Sequence, residues 1–77
     1  MLVTAGEYTI RAKEKYSLSL FAYSETVKGL TISGVKYPLY SEEIDNAFPI
    51  GISNEITDEA ARISFTDGQL LIVQSRL

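Results

Sequence analysis

In GLTISGVKYPLY, residues 29–40, the apolar positions change parity partway along. Leu30 and Ile32 are even, but after Gly34 the apolar residues are Val35, Tyr37 and Leu39, all odd. Side chains of a strand alternate between its two faces, so no straight strand holds both sets on one side. Two structures resolve the slip. A hairpin with Ser33-Gly34 as its two-residue loop sets Ile32 opposite Val35 and Leu30 opposite Tyr37. A bulge with Gly34 at positive φ also adds one residue to the count. The hairpin is preferred. Pro38 lacks an N–H, so the ribbon's second strand should lie at a sheet edge or end there.

RISFTDGQLLIV, residues 62–73, repeats the pattern, and Asp67-Gly68 is the strongest hairpin signal in the chain. With that pair as the loop, Phe65 faces Leu70 and Ile63 faces Ile72, and all four share a core face. The opposite face carries Arg62, Ser64 and Thr66 on one strand and Gln69, Leu71 and Val73 on the other. It is half apolar and needs cover. A third hairpin is expected at the start, with Lys13-Glu14-Lys15 as its loop and Ala12, Ile10 and Tyr8 opposite Tyr16, Leu18 and Leu20.

Between the later hairpins the pattern changes. SEEIDNAF offers Ser41 as a helix N-cap with acids in the first turn, which predicts one or two helical turns. FPIGIS alternates through Phe48, Ile50 and Ile52 as a short strand. Residues 54–61 read either way, because Ile56, Ala60 and Ile63 fit helical spacing yet run straight into the Phe65 strand. The expected fold is mainly β. It is a small single-domain barrel or sandwich spanning residues 1–77, with five to seven short antiparallel strands and a minor helical turn within 41–61.

Composition narrows the chemistry. The 77 residues include no cysteine and no histidine, which removes disulfides, thiolate chemistry and metals held by Cys or His. A domain this small buries only roughly 60% of its unfolded surface, so self-association or docking is a natural aid. The net charge of −3 provides no basic field for nucleic acid. No apolar run approaches the ~20 residues of a membrane span, and Met1–Lys13 carries no signal-peptide core. The default expectation is a cytoplasmic protein, with a virion as the other setting considered.

No G-x-S-x-G, P-loop, G-x-G-x-x-G or metal-spaced motif is present. General acid–base work near neutral pH usually leans on histidine or a shifted carboxylate, so no catalytic, cofactor or metal residue is assigned and no enzyme is expected. Glu42, Glu43, Asp45, Glu55, Asp58 and Glu59 lack the spacing of a calcium loop and read first as a solvated face, with a face offered to a basic partner as the alternative. The outer face of the first hairpin would set Arg11 and Lys13 beside Phe21 and Tyr23, the residue types of a stacking platform for a ligand or oligonucleotide. Burial under another sheet layer or a subunit is the preferred reading of those aromatics, since the chain is acidic overall.

The run Leu70–Val73 implies a strand covered on both faces. Either the short helical segment within 41–61 covers Leu71 and Val73 or another chain does; in the second case Leu71 and Val73, with Arg62 across the hairpin, are the expected protein interface. Three functional readings follow. The leading one is a non-catalytic protein-binding or assembly module that self-associates as a homo-oligomer or docks on a larger protein, such as a virion component or a small inhibitor. The alternative is an OB-like single-stranded nucleic-acid-binding protein. The third is a ligand-binding or enzymatic part that works only inside a larger complex. No cofactor and no membrane is expected.

Overall fold

A computed structural model describes residues 1–46 and 52–76. Its six strands are β1 (Leu2–Arg11), β2 (Tyr16–Ala22), β3 (Thr26–Ser33), β4 (Leu39–Asp45), β5 (Ile52–Asn54) and β6 (Ala60–Arg76). Every pairing is antiparallel, and the sheet curls into a half-barrel. The mainly β expectation holds. Among the described residues there is no helix, and so none long and apolar enough to cross a membrane.

Asp67-Gly68 is not a hairpin loop: β6 continues through it as one strand of 17 residues. At about 3.3 Å per residue such a strand would reach roughly 55 Å if straight. The molecule's longest dimension is 31 Å, so β6 must bend. The bend sits at Gly68, with φ of 103°. There the ladder with β1 loses step: Thr4 pairs with Gln69 and Gly6 with Phe65, two residues on one strand against four on the other. The extra residues form a bulge that turns the whole β1–β6 ribbon. The same parity slip that suggested a hairpin is thus absorbed by a bend, and Ile63, Phe65, Leu70 and Ile72 still face one core, all buried.

The bend organises the rest. β3 pairs with the first half of β6, from Arg62 to Asp67, and β2 with the second half, from Leu70 to Arg76. The link between them crosses at the bend, where the Gln69 N–H donates to Ser24 Oγ (2.8 Å) and the Tyr23 N–H to the Gln69 carbonyl (2.9 Å). The expected β1–β2 hairpin does not form, because both strands pair with β6 instead of each other. Its inward residues nevertheless reach the core: Leu18 and Leu20 are fully buried, and Tyr8 and Ile10 pack against the core cluster half-buried. Packing selected the face correctly while the partner strand differed.

β3 and β4 do form a hairpin, with a wider loop than Ser33-Gly34. Ile32 pairs with Leu39, and Val35 leaves the ribbon to bridge Ile56. As its ring requires, Pro38 directly precedes the edge strand β4. Ser41, expected as a helix cap, lies inside β4 at φ 53°, where its N–H donates to Thr31 Oγ1 (3.0 Å). It is the extra residue of a bulge, since Leu30 pairs with Glu42 two steps before Ile32 meets Leu39. Glu42 and Glu43, which suited a first helical turn, instead stand exposed on an edge strand, where charge discourages edge-to-edge pairing. Residues 54–61 resolve as β5, a bridge and the start of β6 rather than a helix. Phe48 and Ile50 of the expected FPIGIS strand lie outside the described residues.

Candidate functional site

Where β5 passes the β3–β4 loop, two segments are laced together by their backbones. The Lys36 N–H donates to the Glu55 carbonyl (2.9 Å) and the Thr57 N–H to the Gly34 carbonyl (2.9 Å). Gly34 makes the close approach possible: at φ 75°, a Cβ there would stand 2.4 Å from the Ala60 carbonyl oxygen. The parity slip of the sequence is therefore resolved by a turn that delivers Lys36 and Tyr37 to the end of β5.

Asn54 completes the junction. It is the buried polar residue of the described core, 5% exposed, and it pairs with Leu18 on the inner side of β2. Its Oδ1 accepts from the Tyr37 N–H and the Glu55 N–H (both 3.0 Å), while its Nδ2 donates to the Tyr37 carbonyl (2.8 Å). One side chain satisfies both backbone groups of Tyr37 as a neighbouring strand would. Tyr37 stays 60% exposed, with the Lys36 ammonium 5.6 Å from its ring centroid. Ser17, Lys36, Tyr37, Ser53, Asn54 and Glu55 line an open groove of about 230 Å³. It offers an aromatic face, two hydroxyls, a carboxylate and an ammonium on a tightly bonded frame.

The residues nominated from the sequence fall elsewhere. Leu71 lies between Leu2 and Phe21 on the outer face, and Val73 pairs with Ser19. Arg62 is on the other half of β6, between Thr9 and Ser33, so the bend separates it from Leu71 and Val73. Leu71 and Val73 are half-buried, and no described helix covers them. The platform of Arg11, Lys13, Phe21 and Tyr23 is not assembled either. Phe21 sits opposite Leu71 and Arg11 opposite Ala60, at separated points along β6, and the Lys13 ammonium lies over Tyr16, 4.9 Å from its ring centroid. Arg11 and Lys13 instead flank a separate groove of about 480 Å³ with Ile10 and Ile72.

None of Lys36, Tyr37, Ser53, Asn54 and Glu55 is assigned to a site from the sequence, where Tyr37 reads as a ribbon residue and Glu55 as part of a solvated face. One signal was there to read: Asn54 continues the even parity of Phe48, Ile50 and Ile52, a polar residue where an inward face is due. A buried amide at such a place usually holds something.

Comparison with known proteins gives this geometry a context. The family described as thiamin pyrophosphokinase, vitamin B1 binding domain, matches residues 7–70. The thiamine pyrophosphokinase of Bacillus subtilis (strain 168) is 37% identical over 71 residues, which is 91% of this chain and 33% of that protein. Among solved structures, the thiamin pyrophosphokinase of Geobacillus thermodenitrificans superimposes with a TM-score of 0.92 at 32% identity, over 99% of this chain and 36% of that one. The Bacillus subtilis enzyme gives 0.90 at 34%, over 97% and 36%. The chain thus spans about a third of the length of these relatives.

These relatives overturn the leading functional expectation and its alternative. A virion component, an inhibitor or other assembly module, and an OB-like nucleic-acid binder do not fit a chain matched along most of its length to thiamin pyrophosphokinases. The expectation of no enzyme falls with them. It rested on the missing histidine and cysteine, and a search for a full catalytic constellation within 77 residues looks at only a third of such an enzyme.

Proposed function

The chain belongs to the thiamin pyrophosphokinase vitamin B1 binding domain family, and on that footing we propose that it binds thiamin and serves as the vitamin-binding part of a thiamin pyrophosphokinase. The observation that carries this is the family match across residues 7–70, which contains the whole Tyr37–Asn54 junction. Among the three readings of the sequence, an enzymatic or ligand-binding part of something larger is the one supported. The cytoplasmic setting expected from the sequence belongs to the same proposal.

The chemistry of the groove suits the vitamin. Thiamin joins an aminopyrimidine to a permanently cationic thiazolium. An exposed tyrosine face attracts such a cation by roughly 0.5–2 kcal/mol, more as water is excluded. Ser17, Ser53 and Glu55 supply donors and acceptors of the kind an aminopyrimidine edge pairs with. The chain's net charge of −3 favours the approach of a cation. Lys36 works against it at close range, and in binding its ammonium must leave the Tyr37 face to the ligand.

The test is a titration of isotope-labelled chain with thiamin, followed by amide chemical shifts and by calorimetry. Shifts should concentrate on Ser17, Lys36, Tyr37, Ser53, Asn54 and Glu55. Binding weaker than about 1 mM, worth roughly −4 kcal/mol, or shifts confined to another groove, would overturn the assignment.

A further inference from the structure

We propose that Asn54 is a positioning residue for this groove: its amide holds the Tyr37 segment in the shape that receives the ligand before any ligand arrives. The inference rests on the reading that the groove takes thiamin, and it assigns Asn54 a role distinct from ligand contact.

Three observations carry it. First, few other contacts hold Tyr37 itself: the residue is 60% exposed, the nearest backbone bond runs from the Lys36 N–H to the Glu55 carbonyl, and the next residue is Pro38, which has no N–H to donate. Second, the Asn54 amide binds both backbone groups of Tyr37 and, through the second lone pair of Oδ1, the N–H of Glu55. Two residues lining the groove are thus tied to one side chain. Third, Asn54 is 5% exposed and both Oδ1 lone pairs are in use, which leaves its carbonyl nothing for a ligand.

The required chemistry is narrow. The side chain must accept two N–H groups and donate to a carbonyl from one short stem. Aspartate matches the shape but, ionised, can only accept, and would turn an oxygen toward the Tyr37 carbonyl. Serine is too short to reach both groups, and glutamine places the amide one carbon too far. A groove wall held this way avoids the ordering cost that a loose loop meets on binding.

The experiment compares thiamin affinity by calorimetry for wild type, Tyr37→Ala, Asn54→Asp and Asn54→Ser. It is run at a temperature where circular dichroism shows each variant folded. Asn54→Asp should bind thiamin at least about tenfold more weakly than wild type. A residue of merely structural importance would lower the melting temperature and leave the affinity of the folded protein unchanged, and that result would overturn the inference. If Tyr37→Ala loses affinity while both Asn54 variants keep it, positioning fails and the groove assignment stands. If none of the three matters, the groove assignment itself has failed.

Hydrogen exchange on the wild type gives a second measurement, independent of whether the variants fold. The Tyr37 and Glu55 amides should already be protected in the free chain, and thiamin should add little. Fast exchange in the free chain with strong protection on adding thiamin would mean the ligand orders the segment, contrary to a preformed wall.

Discussion

Gly68 has its bare Cα against the Thr26 carbonyl: a Cβ there would stand 2.3 Å from that oxygen and 2.9 Å from Ser24 Oγ. The contact lies where β6 bends and where the chain crosses from β2 to β3, so one position serves both. The backbone needs φ of 103°, which L side chains rarely adopt, and the crossing needs the space that a side chain would fill. β2 and β3 follow one another along β6, against its second and first halves, with Gly68 at the point between them.

Gly68→Ala should therefore destabilise the fold by about 2 kcal/mol or more, and Gly68→Val by more still. In a domain of this size, whose total stability is on the order of 5 kcal/mol, the valine variant should lose about half of that margin or more. Urea denaturation followed by circular dichroism measures both. An alanine variant within about 0.5 kcal/mol of wild type would mean the bend lies elsewhere.

The route of β1 along β6 has its own test. Tyr8 and Phe65 stack with ring centroids 6.2 Å apart at 27°, a contact that exists only because β1 rather than a hairpin partner lies beside this half of β6. A double-mutant cycle with Tyr8→Leu and Phe65→Leu should yield a coupling of about 0.5–1.5 kcal/mol. The Tyr8 hydroxyl bond to the Thr4 carbonyl is lost in both legs and cancels. Coupling under about 0.3 kcal/mol would place the two rings apart.

The faces of the strands were legible in the sequence, and the identity of their partners was not. Alternation marked Ile63, Phe65, Leu70 and Ile72 as one buried set, and they are, because burial depends on which side a residue points. Pairing depends on where the chain travels, and a parity slip at Gly68 looks the same whether the strand reverses or bends. Asp-Gly favours the reversal in isolation; the crossing of Ser24 and Thr26 over the glycine favours the bend, and that is a contact from more than forty residues away. The functional groove was hidden for a related reason. Tyr37 was assigned to a ribbon face by parity, whereas the Asn54 amide draws it out of the ribbon.

At the groove, Tyr37→Ala should weaken thiamin binding by about 0.5–2 kcal/mol, roughly two- to thirtyfold, and Tyr37→Phe should weaken it little, since the ring face remains. Calorimetry at two salt concentrations reads both. Equal losses for alanine and phenylalanine would shift the role from the ring to the hydroxyl.

The outer face supports one further proposal, that the chain associates with a second copy of itself through the end of β6. Leu2, Leu71 and Phe21 lie side by side across β1, β6 and β2, with Val73 one step along the strand. Leu2 is 48% exposed, and no described element covers the row. Fully burying a leucine or valine side chain contributes roughly 1.5–3 kcal/mol, a large share of a small domain's stability. Because Leu71 and Val73 point away from the core pair Leu70 and Ile72, changing them to Glu and Lys together should leave the fold intact and abolish association. Light scattering behind size exclusion, on wild type and the double variant, decides it. A wild type with the mass of one chain at high micromolar concentration, matched by a folded double variant, would show that this face does not join two copies.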